Sequence, residues 1–124
     1  MRLRSRRILI VEDEPLVAMM VEEMLRELDC SVVGTAGELA KALDLAGRAE
    51  FDAALLDLAL RGIPSFPLAD LLQANGKPFA FMTGRSAADL AHAYRSIPRL
   101  EKPFDLPELQ SIIDSLVGPP GKLD

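Results

Sequence analysis

The sequence predicts an α/β fold, a five-stranded parallel sheet with helices on both faces, and three observations lead there. Short apolar runs alternate with helix-period stretches along the chain. The runs beginning near Ile8, Phe51 and Phe79 are continuously apolar, as central parallel strands covered on both faces must be. The 124 residues, 49% hydrophobic and 27% charged, suit one compact unit with a buried core and leave no room for a second.

In order, the first strand is Arg7–Val11. Pro15–Leu28 reads as the first helix: Pro15 suits its first turn, and Leu16, Met20, Met24 and Leu28 recur at steps of four as its apolar row. Strand Ser31–Thr35 and helix Glu38–Ala46 follow, then strand Phe51–Leu56 with helix Pro67–Ala74 and strand Phe79–Met82 with helix Ala87–Arg95. Strand Leu100–Glu101 and helix Leu106–Val117 complete five β-α repeats, and Gly118-Pro119-Pro120-Gly121 stops the last helix. The expectation is a single domain over 1–124, with its core at about 7–117 and short tails. Right-handed crossovers and five strands favour the flavodoxin-like (βα)5 arrangement, strand order 2-1-3-4-5. Such sheets bind ligands outside the carboxyl ends of their strands, where the order reverses between the first and third. Chemistry is therefore expected just after Val11, Leu56, Met82 and Glu101.

Those places hold Glu12 and Asp13, then Asp57, Thr83 and Lys102. A lone acid after a strand is usually a cap or turn residue, and Asp13-Glu14-Pro15 resembles any helix start. Five polar residues at four strand ends of one crevice are another matter. Two carboxylates at about 4 Å repel by roughly 4 kcal/mol at an effective dielectric near 20, and Lys102 neutralises one of three. A hard divalent cation relieves the rest, and oxygen donors with no His or Cys beside them suit Mg²⁺. Asp13 and Asp57 are expected as direct ligands, Glu12 partly through water, and a main-chain carbonyl past Asp57, that of Ala59, completes the set. A carboxylate so placed can act as a nucleophile toward phosphorus, with the cation, Lys102 and the Thr83 hydroxyl stabilising the phosphoryl oxygens.

The net charge of −5 disfavours nucleic acid bound through a broad basic face. Arg2, Arg4, Arg6 and Arg7 read as a solvated tail, since the apolar stretch behind them is too short for a signal peptide. No stretch approaches the roughly 18 apolar residues of a membrane span. The expectation is a soluble, cytoplasmic protein without membrane contact, and lone Cys30 fits a reducing compartment.

From Ile8 to about Val117 the chain resembles a response-regulator receiver domain, in ILIVEDEP at the first strand, LLD at the third, FMTG at the fourth and EKPF at the fifth. The fourth- and fifth-strand stretches, PFAFMTG and PRLEKPF, are similar to a single-domain bacterial subgroup with a Phe-Ala-Thr-Gly-type motif. The resemblance implies Asp57 as phosphoacceptor, Glu12 and Asp13 as metal-binding acids, Thr83 as phosphate-sensing hydroxyl and Lys102 as the phosphoryl-contacting lysine. It also implies a cis Lys102–Pro103 bond. The implied function is a phosphoacceptor in two-component or phosphorelay signalling, charged by a sensor histidine kinase or histidine phosphotransfer protein and read by a downstream protein partner. It would act as a monomer or a phosphorylation-dependent dimer. No output domain is present in the chain, which would catalyse only its own phosphoryl transfer and slow autodephosphorylation and is not otherwise an enzyme.

Two departures stand out. Many receivers carry a switch aromatic three positions before the lysine, and here Arg99 stands there, as an aromatic is also lacking in the subgroup. Leu60-Arg61-Gly62-Ile63-Pro64 replaces the usual loop after the acceptor. Phe66, Phe79, Phe81 and Phe104 read as packing residues, His92 as an ordinary solvated side chain, and Tyr94 as a group able to reach toward Thr83 in place of the missing aromatic. Arg85 and Ala59 are either plain loop residues or groups governing water access. Two alternatives compete: a Mg²⁺-dependent phosphohydrolase using Asp57, weakened because Ala59 stands where a proton-donating acid is needed, and a non-phosphorylated pseudo-receiver used only for docking.

Overall fold

The computed structural model describes residues 5–84 and 94–118. The expected helix Ala87–Arg95 lies outside the described residues except for Tyr94 and Arg95, and Arg2, Arg4, Arg85 and His92 lie outside them too.

Five parallel strands form the main sheet: β1 (Arg6–Val11), β2 (Cys30–Ala36), β3 (Ala53–Asp57), β6 (Phe79–Thr83) and β7 (Arg99–Glu101). Their order is β2-β1-β3-β6-β7, the predicted 2-1-3-4-5 once the two-residue β4 (Ala59–Leu60) and β5 (Ile63–Pro64) are set aside. Alternation along each strand divides the core into two layers. Ile8, Ile10, Ala53, Leu55, Ala80 and Met82 pack with Val21 and Leu25 of α1 (Pro15–Glu27) and Leu109 and Ile113 of α4 (Leu106–Val117). Leu9, Val11, Ala54, Leu56, Phe79 and Phe81 face the other way, onto Ala42 of α2 (Leu39–Arg48) and Leu68 and Leu72 of α3 (Phe66–Ala74). Both faces are apolar because both are covered, so the central runs have no polar alternation.

Three expectations are corrected. The buried side of α1 is Ala18, Val21 and Leu25, whereas Leu16 and Met20, read as part of its apolar row, are 74% and 58% exposed. At 3.6 residues per turn a row taken every fourth residue advances about 40° per step. It therefore winds from solvent at Leu16 to the core at Leu28, which is buried. Arg6 and Arg7 are not a solvated tail. The buried Arg6 guanidinium donates to Asp114 at 2.6 Å and to the carbonyls of Gly118 and Leu28, while Arg7 pairs with Asp52 at 3.1 Å. Finally, the stretch after Asp57 is not a plain loop: β4 (Ala59–Leu60) and β5 (Ile63–Pro64) pair antiparallel. Their turn places Arg61 and Gly62 at φ 51° and 80°, the left-handed pair that matches the twist of a two-residue hairpin.

Local signals explain the helix starts. Pro lies in the first turn of α1, α3 and α4, where its absent N–H is no loss. At α4, Asp105 accepts from the Glu108 amide and the Glu108 carboxylate accepts from the Asp105 amide, both at 2.9 Å, a capping box. No helix of the described residues is long and apolar enough to cross a membrane.

Candidate functional site

The carboxyl ends of β1, β3, β6 and β7 open onto one crevice. Asp57 and Thr83 are the last residues of β3 and β6, one position beyond the predicted strand ends, while Glu12 and Lys102 follow β1 and β7 directly. Strand pairing fixes their heights, with Asp57 opposite Met82 and Thr83 opposite Glu101. The Glu12 amide still donates to Ala36 at 2.9 Å, and the Lys102 amide donates to the Thr83 carbonyl at 2.6 Å. Each backbone is thereby held in the sheet's ladder, so the side chains project from a rigid edge.

Glu12, Asp57 and Thr83 are buried. The Lys102 ammonium lies 2.7 Å from Glu12 Oε1 and 2.6 Å from Asp57 Oδ1, bridging the two carboxylates. The second Glu12 oxygen, Oε2, accepts from the Glu14 amide at 3.0 Å. Asp13 is half-buried, and its Oδ2 accepts from the Arg61 amide in the hairpin turn at 2.7 Å. The Arg61 guanidinium in turn pairs with Glu38 at 2.8 Å, which anchors the hairpin beside the crevice.

The electrostatics follow from this packing. Burial, reinforced by the Glu12 side chain and opposed by Lys102, pushes the Asp57 carboxyl up to about 8. Burial pulls the Lys102 ammonium down, but the carboxylates of Asp57 and Glu12 outweigh it and the net shift is upward. The Arg61 amide holds Asp13 below the usual carboxylate range.

One oxygen from each of Glu12, Asp13 and Asp57 lies within 4.8 Å of the others, with burial decreasing toward Asp13. Asp57 Oδ1 is buried and, although charge-paired with Lys102, has no aligned hydrogen-bond donor among the described residues. Three carboxylates against one ammonium, all oxygen donors, fit a hard divalent cation. Ala59 opens β4 with its side chain exposed. The Lys102–Pro103 bond is cis, as the resemblance implied.

The phenylalanines pack as expected. Phe79 and Phe81 are core, and Phe66 and Phe104 pack half-buried at its edge. Arg99 is exposed. The Tyr94 hydroxyl donates to Asp70 on α3, while its ring stacks on Phe66 and meets Phe81 edge-on. Sequence reasoning missed Arg61 and Ser65. The first acts on the site through its main-chain amide, which carries no residue signature. The second, just before Phe66-Pro67, could be read only as a helix cap; it is fully buried with its hydroxyl on the Asp57 carbonyl.

Comparison with known proteins gives concordant matches. A family model described as the response regulator receiver domain matches residues 8–114. The chain is 32% identical over 117 residues to the transcriptional regulatory protein PdtaR of Mycobacterium tuberculosis, a match covering 91% of this chain and 57% of that protein. The chain thus spans little more than half the length of that relative. Among solved structures it is similar to SdrG from Sphingomonas melonis Fr1, with TM-score 0.82 and 42% identity over 90% of this chain and 96% of that one. It is also similar to the receiver domain of the sensor histidine kinase PA1611 from Pseudomonas aeruginosa PAO1, solved with a magnesium ion coordinated in the active site cleft. That match has TM-score 0.80 and 26% identity over 92% and 98% of the two chains.

Proposed function

The chain belongs to the response regulator receiver family, and on that footing we propose that it accepts a phosphoryl group from a histidine-phosphorylated partner onto Asp57. Receivers are signalling modules of two-component systems rather than enzymes that turn over a free substrate. What carries the proposal is the Lys102 ammonium within 2.7 Å of both Glu12 and Asp57, at the one edge where Asp13 and Thr83 also converge.

Glu12, Asp13, Asp57 and the Ala59 main-chain carbonyl would hold Mg²⁺, which when bound supplies positive charge to the phosphoryl oxygens. An Asp57 carboxylate oxygen attacks phosphorus, the bond from phosphorus to the donor's imidazole nitrogen breaks, and that nitrogen keeps the electron pair. Lys102, already held at the acceptor, balances charge on the transferred group, and the Thr83 hydroxyl donates to it. Ala59 offers no acid to protonate a leaving alkoxide, so the residues favour a receiver over a phosphomonoester hydrolase.

The donor must cover the mouth of the crevice to deliver its phosphohistidine. Among the described residues the exposed large hydrophobics are Leu16, Met19 and Met20 on α1 and Ile63 on β5. Between α1 and the chain after β7 lies a groove of about 340 Å³, lined by Val17, Met20, Val21, Met24, Lys102, Pro103 and Phe104. Lys102 lines both groove and site, so a kinase or phosphotransfer helix seated there stands beside Asp57. A downstream protein then reads the phosphorylated state in the cytoplasm.

Incubation with Mg²⁺ and acetyl phosphate tests the assignment by intact mass. One alkali-labile phosphoryl adduct is expected, absent in Asp57→Ala and without Mg²⁺. No adduct in the natural sequence, or an undiminished one in Asp57→Ala, refutes it.

A further inference from the structure

We infer that Ser65 is a positioning residue for the phosphoacceptor, tying the Asp57 main chain to a switch built on Tyr94 rather than on residue 99; the inference rests on the phosphoacceptor assignment above. Ser65 is 0% exposed, and its Oγ donates to the Asp57 carbonyl at 2.5 Å. Its own amide donates to the Leu58 carbonyl at 2.9 Å. A serine at a helix N-cap ordinarily accepts from an amide of the first turn. Ser65 occupies the N-cap of α3 yet makes no such bond; its hydroxyl is turned to β3 instead. The first turn of α3 is therefore fastened to the acceptor's own peptide.

The next residue carries the connection outward. Phe66 stacks on Tyr94 with ring centroids 4.7 Å apart and planes within 6°. One helical turn further along α3, Asp70 accepts from the Tyr94 hydroxyl. Residues four apart share a helix face, so α3 grips the buried Tyr94 at two points. Tyr94 also meets Phe81 edge-on at 6.0 Å, and Phe81 lies two residues before Thr83 on the same face of β6. Tyr94 thus touches both the helix bound to the Asp57 peptide and the strand that ends in Thr83. Arg99 pairs with Phe81 across the β6–β7 ladder through its main chain and leaves its side chain exposed. When the phosphoryl group draws Thr83 and the acceptor together, the displacement reaches Tyr94 from both sides.

The chain has one tyrosine and no tryptophan, so its intrinsic emission reports Tyr94 alone. The full chain is treated with Mg²⁺ and acetyl phosphate while emission and intact mass are followed together. The natural sequence should change emission in step with the adduct. Ser65→Ala should form the adduct several-fold more slowly and lose at least half of the emission change per adduct, a ratio that mere loss of stability leaves alone. Asp70→Ala, at an exposed position, should form the adduct at the natural rate and show the same reduced response, which keeps the test sharp if Ser65→Ala folds poorly. An unchanged response per adduct in either folded variant, or a silent Tyr94 in fully phosphorylated natural protein, overturns the inference and leaves the phosphoacceptor intact. Absence of any adduct overturns both.

Discussion

Asp57 sits where a negative charge is unwelcome, buried beside the carboxylate of Glu12. Burial and Glu12 raise its carboxyl to about 8 in the metal-free protein, whereas in the unfolded chain it ionises near 4. The folded state then binds more protons than the unfolded state between those values, so stability falls as pH rises through that window and levels off above it. Asp57→Asn removes this dependence. With metal chelated, the variant should gain on the order of 2 kcal/mol over the natural sequence between pH 5 and 8 in urea melts; parallel pH profiles would contradict the account. Glu12, Asp13, Asp57, Thr83 and Lys102 were legible in the sequence as strand-end residues because each lies one or two residues past the end of a predicted strand, and the topology said where such ends meet. Arg61 and Ser65 were not. Their contacts are an amide to Asp13 and a hydroxyl to a carbonyl, bonds that any local sequence could make once the chain had folded back.

At the scale of elements, apolar runs and turn residues placed the five sheet strands and, among the described residues, the helices to within a few residues. Leu106–Val117 has the observed bounds, because proline and a capping box begin it and Gly118, at φ 88°, ends it. Asp105→Ala breaks that box and should cost about 1 kcal/mol in urea unfolding, with Asp105→Asn retaining most of it; equal losses in both would argue against the cap. The orientation of α1 was misread because an apolar row does not say which neighbours it faces. Ala18, a small residue with little hydropathy signal, is buried while Met19 and Met20 point outward. Close approach of α1 to the sheet requires a small side chain at the contact, and the sheet exists only after distant strands have paired. The β4–β5 hairpin was hidden for a simpler reason: strands of two residues are shorter than any periodic signal.

For the whole molecule, one sheet with two covered faces brings the acid-bearing strand ends together. Leu16, Met19 and Met20 on α1 and Ile63 on β5 are left exposed, and Met20 lines the groove that Lys102 shares with the site, the groove proposed above for the phosphohistidine donor. Met20→Glu should leave stability within about 0.5 kcal/mol, since the side chain is already solvated, yet slow phosphoryl transfer from a phosphorylated histidine phosphotransfer domain at least tenfold more than transfer from acetyl phosphate. Equal slowing with both donors would place the defect in the site rather than in docking. The sequence by itself determined the alternation of strands and helices, the sheet order and the polar residues at the strand ends, all of which follow from local period and from the few topologies that β-α repeats allow. Only the tertiary structure decided which side of α1 faces water, that Arg6 and Arg7 are tied down, and that Ser65 fastens the start of α3 to the Asp57 carbonyl. Each depends on a partner many positions away in the chain, whose approach is set by packing rather than by any pattern among neighbours.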